Sequence, residues 1–285
     1  MGSNTRRSCR HNAKNIIVTM KTKFLKLICM ILSGVTVSCA MSSCSNDDDD
    51  VNNNMSSSRW VLVKCSAHYT INNGDGGSIS ADWDKEFTYD SNGRITSDTD
   101  DDYTYKYEGN NIVTDDGGVF TLGKNGFITS FKVDGDDGIA EYNSNGNIIK
   151  YNSGDSWIAD LKWNNGLLTR ANVSYSSTAK SFDIEYYNSN VINADCSAAL
   201  NAQFVCWDLF DGYWALGMCG FWGKMPNKPM KKITSTRANS SSPSSLFTYE
   251  DIDANGCPGK LSIEDSWGKH TYNLVWEKII ITNPD

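Results

Sequence analysis

Aromatic and polar residues alternate along the central part of the chain, and each alternating run ends at a similar turn. Clear copies of this motif, an alternating run followed by a turn, end at Asn92-Gly93, Asn125-Gly126, Asn145-Gly146 and Asn165-Gly166. Alternation places one face of a β-strand on a core, and Asn-Gly tolerates the positive φ that primed hairpin turns require. An aliphatic residue after each pair begins a return strand. Each copy therefore predicts one β-hairpin.

Further copies cover residues 105–113 and 247–256, and a weaker one covers residues 184–192. An isolated hairpin is marginally stable, so the copies are expected to pair side by side and bury a common face. The repeats predict roughly six or seven hairpins, and a sheet of about twelve to sixteen strands curls or closes. The predicted fold is all-β, a large antiparallel meander of hairpins curled into a barrel-like or half-barrel sheet.

One stretch, near residues 198–225, breaks the pattern because it is apolar and has no Asn-Gly turn. The spacing of Phe210, Tyr213, Trp214 and Gly217 suits one face of a helix, although glycines in this stretch weaken helical structure. The sequence predicts a short helical insert that packs across one end or side of the sheet. Whether its aromatic side chains are buried or exposed stays open.

The N-terminal region has the organisation of an export signal. From Met20, three lysines precede the apolar run 27–32, which is too short to span a bilayer. Small residues then lead to Cys44, in a pattern that resembles a bacterial lipobox; the resemblance implies that Cys44 is lipidated, with Cys39 as the rival site. The acidic run 47–50 follows as an extended tether.

This organisation divides the chain into four parts. Residues 1–19 are interpreted as a misassigned or disordered start and residues 20–43 as a lipoprotein signal peptide. Residues 44–58 form the lipid anchor and flexible tether, and residues 59–282 form a single β domain.

The charge balance excludes one class of partner. All 34 acidic residues follow Cys44, whereas seven of the 26 basic residues precede it, so the chain after the anchor has a net charge of −15. Such a surface repels phosphate backbones, and nucleic-acid binding is not expected. The mature protein is expected to be a monomer.

Five cysteines remain after the anchor: Cys65, Cys196, Cys206, Cys219 and Cys257. An odd number in an exported chain leaves at least one thiol free or paired between molecules. A local bridge among Cys196, Cys206 and Cys219 is one possibility, and buried free thiols are the other. No CxxC occurs, so the motif of a zinc ribbon or a thioredoxin-like site is missing.

Motifs for catalysis are also missing. The sequence has no nucleophile elbow, P-loop, HExxH or dinucleotide fingerprint, and no cofactor is expected. A pair of carboxylates in a glycan hydrolase stays a third-ranked alternative, because such pairing is spatial rather than sequential.

Two sets of residues are candidates for binding. Asp251, Asp253 and Asn255, followed by Gly256, match the first positions of a calcium loop, although Ser262 occupies the position of the usual Glu. The competing interpretation of these residues is one more hairpin turn. The second set is aromatic, and its side chains are candidates for stacking on a glycan or for lining a lipid-sized pocket. The default interpretation is that these side chains are buried and pack the insert against the sheet. The members of this set are Trp207, Tyr213, Trp214 and Trp222.

The chain resembles one family in four features together. These are the lipobox, the acidic tether, the repeated motif at residues 89–94 and the glycine-containing insert before Lys224. The family comprises uncharacterised Bacteroides-type outer-membrane lipoproteins with a porin-like-fold domain, and the resemblance spans about residues 59–280. It implies a curved sheet or barrel without established activity, and some members are described as lipid-binding.

The leading functional hypothesis is therefore a non-catalytic, lipid-anchored envelope protein that binds a surface ligand or acts as a scaffold. It would be anchored in the outer membrane and face the cell exterior. The alternative is a carrier of a lipid-like ligand inside the curled sheet. A membrane pore is disfavoured because the predicted strands carry many Asp, Asn and Ser residues where a lipid-facing band must be apolar.

Overall fold

The computed structural model describes residues 57–72, 78–99, 103–154, 157–175, 178–210, 213–237, 243–266 and 268–281. Within these ranges, the side chains of residues 71, 72, 78, 79, 207–210, 214 and 237 are outside the description. The signal peptide, Cys44 and the acidic tether all lie outside the described residues.

Sixteen antiparallel strands form a closed barrel in which sequence neighbours pair and β1 closes on β16. The strands are β1 (Ser57–Asn72), β2 (Ser78–Tyr89), β3 (Ile95–Asp98), β4 (Tyr103–Glu108), β5 (Asn111–Thr114), β6 (Val119–Leu122), β7 (Ile128–Val133), β8 (Asp136–Tyr142), β9 (Ile148–Ser153), β10 (Trp157–Asn164), β11 (Leu167–Tyr175), β12 (Thr178–Tyr186), β13 (Met230–Arg237), β14 (Ser244–Ile252), β15 (Pro258–Asp265) and β16 (Gly268–Ile281). The predicted all-β meander of hairpins is confirmed, and the sheet closes.

The Asn-Gly turns lie together at one end of the barrel, named here the turn end, and the connections after odd-numbered strands lie at the opposite, loop end. Only Asn165-Gly166 has positive φ at both residues, so the prediction of primed turns is wrong for the other Asn-Gly pairs. At Asn92-Gly93 only the glycine is left-handed, with φ 71°, and Asp90 Oδ1 accepts the amide protons of Asn92 and Arg94. This polar residue at the start of the turn favours a three-residue loop with a glycine bulge.

A repeated aromatic hydrogen bond joins neighbouring strands at the turn end. In seven of the eight even-numbered strands, a Tyr or Trp near the turn end donates to a backbone carbonyl of the preceding strand. The pairs are Tyr89 with Leu62, Tyr107 with Ile95, Tyr142 with Ile128, Trp163 with Ile148, Tyr186 with Leu168, Tyr249 with Met230 and Trp276 with Pro258. Burial raises the pKa of the five tyrosines, so these hydroxyls remain protonated donors at physiological pH.

Two helices follow β12 in place of the hairpin that the weak copy at residues 184–192 predicted. They are α1 (Ala194–Phe210) and α2 (Trp214–Met218). The insert is therefore confirmed, and it begins a few residues earlier than predicted.

The insert lies inside the barrel, not across one end or side of it as predicted. Every residue of α1 from Cys196 to Cys206 is buried, so the helix is enclosed around its whole circumference. The helix contacts β1, β10 and β13, which stand on different sides of the wall. Residues 194–229 are called the plug below.

The segment after α2 closes the turn end from within. Lys224 N donates to Gly146 O at 2.8 Å, and Asn147 Nδ2 donates to Lys224 O at 2.8 Å. Ile128 N donates to Phe221 O at 2.8 Å. Inward-facing strand residues and the plug therefore form one continuous apolar core.

The outer wall is polar and carries directly opposed ion pairs. The cross-strand pairs are Lys64 with Glu86, Lys132 with Asp137, Glu141 with Lys150, Arg170 with Asp183, Glu185 with Lys232, and Glu250 with Lys260. These pairs are spread around the barrel wall. The barrel therefore presents charge to its surroundings and apolar side chains to its interior.

Candidate functional site

A shallow groove on the outer wall, across β6 to β9, is the candidate binding site. Its volume is about 550 Å³, within the range of about 300–1,000 Å³ that ligand pockets occupy. It has an apolar floor and a polar margin; the lining includes Val119, Thr121, Ser130, Lys132, Ile139 and Asn152.

The register of the strands assembles this groove. Ile139 on β8 lies opposite Ser130 on β7 and Asn152 on β9, so the three outward side chains form one row across the sheet. Ile139 is 46% exposed, so its aliphatic side chain forms an apolar patch on the floor of the groove. A ligand seated there would remove apolar surface from water.

Asn152 adds a polar feature to the groove. Its Oδ1 atom is buried and has no hydrogen-bond partner among the described residues. An unpaired buried acceptor costs roughly 1–3 kcal/mol, which a ligand donor would offset. Lys132 and Asp137, whose charged atoms are 3.7 Å apart, stand at the same margin and supply one charge of each sign.

An aromatic and acidic cluster lies at the loop end, beside the connection between β5 and β6. The rings of Tyr103 and Tyr213 stack with centroids 5.3 Å apart, and Phe120 meets the Tyr213 ring edge-on at 4.7 Å. The Tyr213 hydroxyl donates to Asp116 Oδ2 at 2.6 Å. Tyr213 adopts left-handed backbone angles, with φ 49°, immediately before α2.

Hydrogen bonds within this cluster lower the pKa of its carboxyl group. Burial alone would raise the pKa of Asp116, but hydrogen bonds from Thr114, Tyr213 and the Gly118 amide outweigh burial and lower it. Burial raises the pKa of Tyr213, and its bond to Asp116 adds to that effect. Asp116 is thus an ionised acceptor whose partners come from this chain.

The four aromatic residues singled out from the sequence do not form one surface. Trp222 is 1% exposed and its ring packs edge-on against Phe120, Phe131 and Tyr151 inside the barrel. Tyr213 is partly exposed at the loop end. Trp207 lies on α1 and Trp214 begins α2, but their side chains are outside the described set.

The candidate calcium residues lie in the turn between β14 and β15. Asp253 Oδ1 accepts the amide protons of Asn255 and Cys257 at 2.8 Å each, the same arrangement as at Asp90. These backbone hydrogen bonds lower the pKa of Asp253. Asp251 has positive φ, 55°. Within the described ranges, no group of three or more His, Cys, Asp or Glu side chains is placed to hold a metal ion.

Two buried polar pairs inside the barrel are the features that come nearest to catalytic chemistry. Lys85 Nζ lies 3.2 Å from Asp98 Oδ1, with both side chains essentially inaccessible. At the loop end, His270 Nε2 lies 3.6 Å from Asp265 Oδ1, and the Tyr69 ring is 6.3 Å from the imidazole. Neither pair lines the groove.

Comparison with solved structures places this architecture among known barrels. The chain is similar to a porin-like protein from Bacteroides uniformis, with a TM-score of 0.58 and 14% identity over 76% of this chain and 98% of that one. No protein family matches this sequence, and no curated protein does either. The chain has a porin-like barrel fold, and this low identity shows the fold alone.

The outer wall differs from that of a barrel embedded in lipid. A membrane-spanning barrel needs an outward apolar band about 25 Å tall, and charged groups at its midplane cost roughly 2–4 kcal/mol each. The strands of this barrel instead carry cross-strand ion pairs on their outward faces. Neither helix in the described part of the chain is long and apolar enough to cross a membrane.

Proposed function

We propose that this chain is a non-catalytic, lipid-anchored protein of the cell envelope, whose barrel stands in water and binds through its outer surface. The observation that carries the proposal is the distribution of polarity, charged outside and filled with apolar side chains inside. In the part of the chain that the structure describes, the barrel has neither the lipid-facing band of a pore nor an open interior, and we therefore place binding on the outer wall and the loop end.

The lipobox supports the anchor. A charged outer wall gives the barrel no hydrophobic reason to enter a bilayer, so we propose that acyl chains attached at Cys44 hold the protein at the membrane. The porin-like fold and the acidic tether are consistent with an outer-membrane protein, and we propose that it faces the cell exterior.

The anchor predicts a clear result for Cys44→Ala. This variant should lose fatty-acid labelling, and nearly all of it should move from the membrane pellet to the soluble fraction without detergent, because acyl chains supply the membrane affinity. The measurement is metabolic labelling with a fatty-acid analogue, followed by fractionation.

Cys39→Ala is the matched control, since it removes the rival cysteine and should leave labelling and fractionation unchanged. A Cys44→Ala protein that stays in the pellet after alkaline washing would contradict a barrel that stands in water.

The carrier and hydrolase alternatives have less support. A lipid carrier of the proposed kind needs an apolar space inside the sheet, whereas α1 occupies the middle of the barrel with every residue from Cys196 to Cys206 buried. A glycan hydrolase needs two convergent carboxylates at a cleft. The groove margin offers Asp137 as its carboxylate, 3.7 Å from Lys132.

As the binding surface we propose the groove on β6 to β9, because it joins an exposed aliphatic floor to the buried acceptor of Asn152. Replacing Ile139 with arginine should weaken small ligands bound there by about tenfold or more, roughly 1.4 kcal/mol, by filling the floor with a charged side chain. The measurement is ligand-detected NMR with a fragment library.

Val275→Arg is the matched control, because Val275 is 49% exposed on β16, away from the groove. If the fragments bind both variants with the same affinity as the parent protein, the groove is not the binding surface. The same conclusion follows if no fragment in the library binds the parent protein.

A further inference from the structure

Two buried cysteines meet where the plug begins. Cys196, in the first turn of α1, and Cys257, in the turn between β14 and β15, have sulfur atoms 3.3 Å apart. Their exposures are 0% and 3%. This contact joins the helix inside the barrel to a hairpin of the wall, across 61 residues of sequence.

Backbone contacts already hold the two segments together. Asn193 N donates to Gly256 O at 2.7 Å, and Asn193 Nδ2 donates to Asn255 O at 3.2 Å. Ser197 N donates to Asn193 O at 2.8 Å, which ties this contact to the start of α1. A disulfide has a sulfur separation of about 2.05 Å, so sulfurs that are 3.3 Å apart need to close by about 1.2 Å between two segments that these hydrogen bonds already hold together.

We propose that Cys196 and Cys257 form a disulfide bond in the exported protein, and that this bond fastens the plug to the wall of the barrel. The proposal rests on the proposed function only in that an exported protein meets an oxidising compartment. The geometry that brings the sulfurs together does not depend on the lipid anchor.

The oxidation is a two-electron exchange with a disulfide-bearing oxidant, either a protein thiol oxidase or oxidised glutathione. One thiolate attacks the oxidant's disulfide and forms a mixed disulfide, and the second thiolate then displaces the oxidant's remaining sulfur. The oxidant's two sulfurs take up, through solvent, the two protons that the cysteine thiols lose. One S–S bond forms between the cysteines, the oxidant's S–S bond is broken, and the oxidant leaves as two thiols.

Burial decides when this exchange takes place. Burial raises the pKa of both thiols, so few thiolates exist once the barrel has closed. The bond should therefore form while the chain folds, and the same enclosure should protect it from reductants afterwards.

The other three cysteines have different surroundings. Cys206 lies further along α1 and its sulfur packs against Gly217. Cys219 is hydrogen bonded at the turn end, where its sulfur accepts from Ile95 N at 3.1 Å and donates to Gly93 O at 3.7 Å. Cys65 is buried on β1. The structure therefore points to Cys196 with Cys257, and not to the local bridge within the insert that the sequence left open.

Thiol mapping of the full chain purified from cell envelopes tests the bond directly. The protein is denatured in excess alkylating agent without reductant, digested and analysed by mass spectrometry. We expect a linked peptide pair containing Cys196 and Cys257, with Cys65, Cys206 and Cys219 alkylated. Alkylation of all five cysteines, also after refolding in oxidised glutathione, would overturn the proposal.

Thermal unfolding of variants tests the fastening. Parent protein that is reduced in denaturant and refolded with reductant should have a Tm about 5–15 °C below that of the oxidised protein, given typical disulfide energies and this chain length. Cys257→Ser should show this lower Tm without reductant and should leave Cys196 newly open to alkylation in denaturant. Cys206→Ala is the control, because its Tm should still fall on reduction.

The outcomes separate this proposal from the lipid anchor. A parent protein with the linked peptide but without fatty-acid label would keep the disulfide and reject the anchor. A protein that carries the fatty-acid label, whose Tm does not change on reduction and whose five cysteines after the anchor are all alkylated, would keep the anchor and reject the disulfide.

Discussion

Replacing Trp222 with alanine should lower the free energy of unfolding by about 3–5 kcal/mol, the range for large aromatic deletions in a packed core. The indole is 1% exposed and forms edge-on contacts with three rings of the barrel wall, those of Phe120, Phe131 and Tyr151. Those rings come from β6, β7 and β9, so one side chain of the plug joins three strands. Its loss leaves a cavity that a closed barrel cannot collapse to fill.

Urea unfolding followed by circular dichroism measures this effect, with Tyr175→Ala as the control. Tyr175 is 50% exposed and packs on Trp157 at the barrel margin, so its removal should cost about 1 kcal/mol or less. If Trp222→Ala cost no more than the control, the plug would not be part of the cooperative core, and the interior would be open to a ligand again.

The sequence predicts the wall well because each hairpin is encoded locally. The alternation before Asn145-Gly146 places Tyr142 inward, and the glycine takes φ 81° at the turn. These features lie within ten residues, and their repetition specifies consecutive pairing. The turn type was mistaken because the residue that selects it, such as Asn143 with two accepted amide protons, precedes the Asn-Gly pair.

Closure and the position of the insert depend on contacts that are distant in sequence. β1 pairs with β16 across about 200 residues of sequence, and no local pattern encodes that register. Helix α1 has apolar or small residues on all sides, and a helix of this kind is enclosed on every side. Such a pattern indicates burial but not whether the enclosure is the inside of a barrel.

The groove was missed for a related reason. Ile139, Ser130 and Asn152 come from three strands and become neighbours only through the register. In the sequence, each of the three is an ordinary residue of a β-strand, and none indicates a groove by itself. An aliphatic residue at an outward position, as Ile139 is between Gly138 and Ala140, was the one available signal in the sequence.

The buried ion pair of Lys85 and Asp98 should give the second large effect. Replacing either partner alone, as Lys85→Met or Asp98→Leu, should cost about 3–5 kcal/mol, because it removes an ion-pair partner from a charge that is buried inside the barrel. The charged atoms are 3.2 Å apart with side-chain exposures of 0% and 1%, and the Tyr105 hydroxyl lies 3.4 Å from Asp98 Oδ2. The double variant should recover most of this loss, since two apolar residues of similar volume replace the pair.

The chain supplies its own control one residue further along β2. Glu86 faces outward and pairs with Lys64 at 2.8 Å, a shorter distance than in the buried pair, with both side chains exposed. The same cycle on Lys64 and Glu86 should yield an interaction of at most about 1 kcal/mol, because solvent screens it. Equal coupling energies in the two cycles would mean that water reaches Lys85. That result would contradict a filled barrel and return the carrier hypothesis to consideration.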